Sequence, residues 1–185
     1  MIIDILVELL YIIVVALIWV MLVYQVVLTA SGYLYSRRKL KGSAIPDDQL
    51  PPLTIIIPAR NEERVIAETV ACMFRLDYPH DKLEVIIIND GSTDRTGAIL
   101  AAVNDPRLKV ITIPLAESGQ GKSRVLNIAV KQAAGELIAI YDADNRPEQN
   151  ALKILVKELL ADRQFIAAIG KFRTINRNTS IMTRF

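Results

Sequence analysis

One cysteine and one histidine occur in the 185 residues. A single thiol cannot close a disulfide within the chain, so no disulfide framework holds this fold together. Cys72 lies in an apolar, helix-like run and reads as a small buried hydrophobe. His80 follows Pro79 in a polar loop, and no function is assigned to it. Internal repeats and low-complexity segments are absent. The formal net charge is only +2. Much of that excess sits in one short basic cluster, so the chain lacks the electrostatic footprint of a nucleic-acid binder. Charge is missing altogether from Leu9 to Ser36.

That uncharged run is rich in Val, Ile and Leu and exceeds the ~20 apolar residues that span a bilayer core. A cleaved signal peptide wants a basic start, a shorter apolar stretch and a small-residue cleavage site. Here Asp4 and Glu8 precede the run, and Arg37, Arg38, Lys39 and Lys41 follow it. Residues 1–36 therefore read as a transmembrane anchor, single-pass in this chain, in the cell membrane. The positive-inside rule places the N-terminus outside and everything after residue 37 in the cytosol. Tyr33 and Tyr35 suit the interface. Residues 37–52 read as a basic juxtamembrane segment and linker, with Pro46, Asp47, Asp48, Pro51 and Pro52 breaking regular structure.

From residue 53 to 185, apolar runs alternate with helix-period stretches. Strands are expected at Leu53–Pro58, Leu83–Asn89, Leu108–Ile113, Glu136–Tyr141 and Phe165–Phe172. Helices are expected at Glu63–Arg75, Asp94–Asn104, Lys122–Ala134 and Pro147–Ala161, the last with Pro at its first position, where its missing N–H costs nothing. Such alternation means βαβ units: a Rossmann-like, mostly parallel sheet with helices on both faces.

Polar residues gather after the strand ends, where open α/β sheets bind ligands. The first strand runs into Ala59-Arg60-Asn61-Glu62 and the second into Asp90-Gly91-Ser92-Thr93-Asp94. After the third comes Ser118-Gly119-Gln120-Gly121-Lys122, and after the fourth Asp142-Ala143-Asp144. A purely structural domain has no need of that convergence. Paired aspartates at a strand end suit a hard divalent cation that shares oxygen ligands with substrate phosphates. The bland alternative is a solvated helix start before Pro147. In the second loop, Ser92 or Thr93 reads as a helix cap and Asp94 as a partner of the helix dipole; Asp90 is also placed to accept a hydrogen bond from a base or ribose hydroxyl. Gly121-Lys122-Ser123 raises a P-loop reading, but Ala116 stands where that motif needs its first glycine. The Gly-x-Gly-x-x-Gly of dinucleotide-binding domains is absent after the first strand, where Pro58-Ala-Arg-Asn-Glu62 stands instead.

Thr54-Ile-Ile-Ile-Pro58-Ala-Arg60-Asn-Glu62, Val85-Ile-Ile-Ile-Asn89-Asp90-Gly-Ser-Thr-Asp94, Gly121-Lys122-Ser-Arg-Val-Leu-Asn127 and Asp142-Ala-Asp144 follow one another in an order and spacing that resemble the family-2 glycosyltransferases. The anchor ahead of them resembles the polysaccharide-synthase branch, related to cellulose and poly-N-acetylglucosamine synthases. The resemblance implies an A-type glycosyltransferase fold and inverting transfer of a hexosyl or N-acetylhexosaminyl group from a nucleotide sugar, most often UDP-linked, to a saccharide or lipid-linked acceptor. It implies that Glu62 and Asp90 hold the uridine, with Ala59 and Arg60 lining the same pocket. Lys122 would lie near the base or diphosphate, Asp142 against the ribose or sugar, and Asp144 on Mg²⁺ or Mn²⁺.

The family's later motifs are missing here. The acid that acts as general base and a Gln-x-x-Arg-Trp acceptor motif belong beyond the fifth strand; Glu148 and Glu158 read as solvated helix positions. The general base is therefore expected beyond Phe185, and the chain is expected to be the donor-binding part of a larger enzyme, inactive alone. A non-catalytic, membrane-anchored scaffold is the alternative from another class.

Overall fold

The computed structural model describes residues 2–36, 45–161 and 164–170. The chain divides into two units, Met1–Lys41 and Gly42–Phe185. The first is one helix, α1 (Ile2–Ser36). Its stretch Ile2–Leu34 is long and apolar enough to cross a membrane. At ~1.5 Å per residue it is longer than the ~30 Å hydrocarbon core. Within it the Thr29 hydroxyl donates to the Gln25 carbonyl at 2.8 Å.

The second unit is built on β1 (Leu53–Ala59), β2 (Leu83–Asp90), β3 (Leu108–Ile113) and β4 (Leu137–Ile140), all parallel, in the order β3-β2-β1-β4. The two central strands are β-branched runs buried on both faces, the composition that a covered parallel sheet requires. Alternation along them sorts the helices. Ile55, Ile57, Val85 and Ile87 share a core with Ile66, Val70 and Met73 of α2 (Ile66–Phe74), Leu100 of α3 (Thr96–Ala101) and Leu152 and Val156 of α5 (Ala151–Ala161). Ile56, Ile86 and Ile88 face the other way, against Val125 and Ala129 of α4 (Lys122–Val130). Each such isoleucine, fully out of water, contributes about 1.5–3 kcal/mol. Helices do cover both faces.

Pro58 sits in a central strand, which proline normally avoids. The register explains it. Tyr141 N–H donates to the Ile56 carbonyl at 3.1 Å, so Ile56 and, two residues on, Pro58 aim their backbone groups toward β4. Pairing with β4 stops at Ile56↔Ile140. The next ladder donor toward β4 would be the N–H of residue 58, which proline lacks, so pairing ends where the proline stands.

Three expectations are corrected. Pro147 is not the first residue of a helix: α5 begins at Ala151. The segment before it is held elsewhere, by an Arg146–Glu68 ion pair of 2.6 Å and by the Gln149 carbonyl, which accepts the Asp77 N–H at 2.8 Å. No strand forms over 164–170, where Ile166 is 98% and Ile169 87% exposed. An apolar run becomes a strand only beside a hydrogen-bonded neighbour, and none pairs with it among the described residues; 171–172 lie outside them. Within the stretch read as a linker, residues 45–52 are part of the second unit. Leu50 is 1% exposed in the main core, and Asp47 pairs with Lys153 and Lys157 of α5 at 2.7 and 2.9 Å. Residues 37–44 lie outside the described residues.

Candidate functional site

The carboxyl ends of β1, β2 and β4 and the loop after β3 surround a cleft of about 510 Å³. Pockets for nucleotide- or drug-sized ligands fall in this range. Ala59, Arg60, Glu62, Asp90, Lys122, Asp142 and Asp144 all line it, so the four loops converge as the βαβ pattern requires.

The first two loops are stapled to each other. Asn61 takes a left-handed conformation (φ 56°), which Asn tolerates better than most residues. Its backbone N–H donates to Ser92 Oγ at 3.0 Å, and its own Oδ1 accepts the Thr93 N–H at 2.8 Å. Glu62 N–H donates to Thr96 Oγ1 at 2.8 Å, and Glu63 N–H to Asp94 Oδ2 at 3.1 Å. The Glu63 carboxylate returns the favour, accepting the Arg95 N–H at 3.0 Å. Ser92 and Thr93 therefore do not cap α3, as expected from sequence; they hold the β1–α2 loop. Asp94 does accept the Thr96 N–H at 2.9 Å. Partial burial works against its charge, but hydrogen bonds from Thr96 and Glu63 outweigh it and keep the carboxyl below its ordinary range. Residues 63–65 form a turn, with the Val65 and Ile66 N–H groups both donating to the Glu62 carbonyl at 3.0 and 2.9 Å, and α2 starts at Ile66 rather than Glu63.

The glycine loop closes the third side. Gly119 and Gly121 both have positive φ, 74° and 96°. Gly119 N–H donates to Asp90 Oδ2 at 3.3 Å, and a Cβ on Gly119 would lie 2.9 Å from Arg60 Nη1. Residue 119 must be small for the Arg60 guanidinium to lie over it. Asp90 is only 9% exposed; the Gly119 bond leaves it further acceptor capacity for a ligand N–H or O–H. Residues Leu115–Glu117 form a short 3₁₀ turn, not a glycine cradle around phosphate.

On the fourth side, Asp142 and Asp144 are exposed while Ala143 between them is 5% exposed and packs in the main core. Both carboxylates thus leave one face of the segment. Asp142 Oδ1 accepts a hydrogen bond from Lys122 Nζ. The lining holds two cations, Arg60 and Lys122, against four carboxylates, Glu62, Asp90, Asp142 and Asp144. A polyanion entering this cleft meets net negative charge, which one divalent cation would neutralise. Among the described residues no three His, Cys, Asp or Glu side chains group to hold a metal. The donor set instead suits Mg²⁺ or Mn²⁺ bound by one or two carboxylates and completed by ligand phosphates and water.

An open parallel sheet with a polar cleft at its strand ends defines an α/β class of protein. Residues 54–184 match glycosyl transferase family 2. The chain is 39% identical over 175 residues to the probable glycosyltransferase YdaM of Bacillus subtilis, covering 92% of this chain and 42% of that protein. It is 30% identical over 164 residues to a poly-beta-1,6-N-acetyl-D-glucosamine synthase of Staphylococcus aureus, covering 86% and 38%. Among solved structures, the mannosyltransferase PcManGT from Pyrobaculum calidifontis, in complex with GDP-Man and Mn²⁺, superposes with a TM-score of 0.62 at 31% identity. That match covers 75% of this chain and 40% of the other. The chain belongs to glycosyl transferase family 2, and its sheet is that of the A-type glycosyltransferase fold. It spans less than half the length of these relatives. The family replaces the P-loop reading.

Proposed function

We propose that this chain is the donor-binding part of a membrane-anchored, inverting glycosyltransferase that takes a UDP-linked sugar and serves polysaccharide or glycolipid synthesis. The observation that carries the reading is the convergence of all seven predicted side chains on one cleft. Glu62 and Asp90 hold the uridine, with Ala59 and Arg60 walling the same side. Lys122 contacts the diphosphate, Asp142 the ribose or sugar, and Asp144 holds Mg²⁺ or Mn²⁺. Breaking the sugar–phosphate bond builds negative charge on the leaving diphosphate, which a bound divalent ion stabilises as a Lewis acid. Lys122 adds a second positive charge on the same side. Inversion also needs a general base at the acceptor hydroxyl. The cleft's carboxylates are engaged with donor and metal, so the base comes from the part of the relatives' length that this chain does not span. Anchored by α1 with its N-terminus outside, the globular unit faces the cytosolic nucleotide-sugar pool. The neighbour solved with GDP-Man and Mn²⁺ supports a metal-assisted nucleotide-sugar site.

Calorimetric titration of UDP and GDP into the full chain in detergent, with and without Mn²⁺, tests this. UDP binding should require the metal, exceed GDP binding, and weaken by about tenfold or more in Asp144→Ala. Metal-independent binding untouched by that substitution would sink the reading. Sugar transfer by this polypeptide alone would refute the assignment of the base. A scaffold is the second reading, favoured by the apolar Ile138 and Ile140, 39% and 52% exposed on edge strand β4. A scaffold need not bind UDP.

A further inference from the structure

We infer that Thr69, outside the cleft, is a positioning residue for the Asp142-Ala143-Asp144 segment, its hydroxyl setting where the two carboxylates stand. The inference rests on the metal-dependent donor reading above. β4 is short and, among the described residues, pairs with β1 alone. Its last ladder contact is the Tyr141 N–H, so strand pairing ends before the acid pair begins. Something else must hold residues 142–144. The Ala143 side chain is buried beneath α2, and its carbonyl accepts a hydrogen bond of 2.5 Å from Thr69 Oγ1.

Thr69 is 1% exposed and has a choice of acceptors, since the Val65 carbonyl lies 3.1 Å from the same hydroxyl. A hydroxyl has one proton. Val65 already accepts the Thr69 N–H at 3.0 Å, so the proton is not needed there. The Ala143 carbonyl would otherwise be a buried acceptor without a partner, at a cost of about 1–3 kcal/mol. The preceding residue of α2 repeats the anchorage: Glu68 pairs with Arg146 at 2.6 Å. Two consecutive helix residues thus grip the segment on either side of Asp144. With Ala143 pinned on its buried side, Asp142 and Asp144 can only project into the cleft. Serine at position 69 preserves this grip; valine, of the same shape, abolishes it.

The test compares wild type, Thr69→Val and Thr69→Ser in the full chain, using Mn²⁺ and UDP as probes. Thr69→Val should lower Mn²⁺-dependent UDP affinity by on the order of tenfold, the scale seen when groups that orient metal ligands are removed, with Thr69→Ser within about threefold of wild type. In metal-free protein, amide hydrogen exchange at Asp144 and Asn145 should accelerate in Thr69→Val and not in Thr69→Ser. Equal affinity and exchange in all three proteins would overturn the inference, as would equal impairment of Val and Ser. Should Thr69→Val fail to fold, Thr69→Ala supplies the same comparison. If wild type shows no metal dependence, the donor reading falls by itself, while the exchange measurement still decides whether Thr69 holds the loop.

Discussion

Lys122 Nζ and Asp142 Oδ1 are hydrogen-bonded across the mouth of the cleft, joining the start of α4 to the acid pair after β4. The two side chains are 53% and 56% exposed, so water screens the pair and its contribution to folding is about 0–1 kcal/mol. On the donor-site proposal its weight lies in binding. A lysine held beside a carboxylate is already ordered at the place where a diphosphate would need it.

Lys122→Met should therefore leave stability within about 0.5 kcal/mol of wild type, as surface substitutions do. UDP affinity should fall about tenfold or more, the scale of a lost charged hydrogen bond. Urea unfolding and calorimetry on the same preparation separate the two. Unchanged affinity would remove Lys122 from the donor site.

Asn61 offers a conformational test. Asn61→Ala puts a Cβ residue with no local hydrogen bond into the left-handed region, at a cost of about 1–2 kcal/mol. Asn61→Gly keeps the backbone free and loses the bonds that Oδ1 accepts from the exposed Thr93 N–H and, at 3.4 Å, its hydroxyl, about 1 kcal/mol or less. Denaturant unfolding should rank wild type and Gly above Ala. Equal destabilisation of Gly and Ala relative to wild type would mean that the side-chain bonds, which both variants lack, and not φ, hold the loop.

Gly135 is constrained by space. A Cβ there would meet the Thr54 backbone nitrogen and lie 2.7 Å from the Leu53 carbonyl carbon. Backbone atoms in a central strand cannot step aside. Gly135→Ala should destabilise by about 1–3 kcal/mol, the range for overpacking, measured by urea unfolding. A neutral result would show that the approach of β4 to β1 has slack.

Acid sensitivity should come from two carboxylates remote from the cleft. Hydrogen bonds from Lys153 and then Lys157 lower Asp47 from 3.8 to about 2, and a hydrogen bond from Arg107 lowers Asp105 to about 2. A depressed carboxyl stabilises the fold fully above its unfolded value and loses that stabilisation as pH falls through its folded value. Thermal midpoints should therefore drop as pH falls from about 4 to about 2, and Asp47→Asn should flatten part of that slope. Lys153 is raised above 10.5, so its side of the pair weakens only in alkali. A pH profile unaltered by Asp47→Asn would show that the Asp47 ion pairs do not contribute to acid sensitivity.

Much of the cleft was legible because its signals are local. Short β-branched runs, each followed by polar and glycine residues, specify strands and their carboxyl-end loops, and parallel topology then brings those loops to one edge. β3 coincides with its expected bounds, Leu108–Ile113. The failures share a cause. Pro147 carries a local helix-start preference, but Arg146 and Gln149 answer to α2 and the residues after it. Ser92 and Thr93 look like caps, yet their partner is Asn61, in a loop the sequence places 31 and 32 residues away. Leu50 sits among prolines and acids and is nonetheless core.

By itself, then, the sequence determined a helix long and apolar enough to cross a membrane, the alternation of strand and helix, and the residue types at the strand ends, since these follow from composition and period along the chain. The tertiary structure alone decided which loops grip one another, that Ala143 turns inward so that its flanking aspartates turn outward, and that Thr69 meets its carbonyl. Those are contacts between residues far apart in sequence, and neither propensity nor period carries information about them.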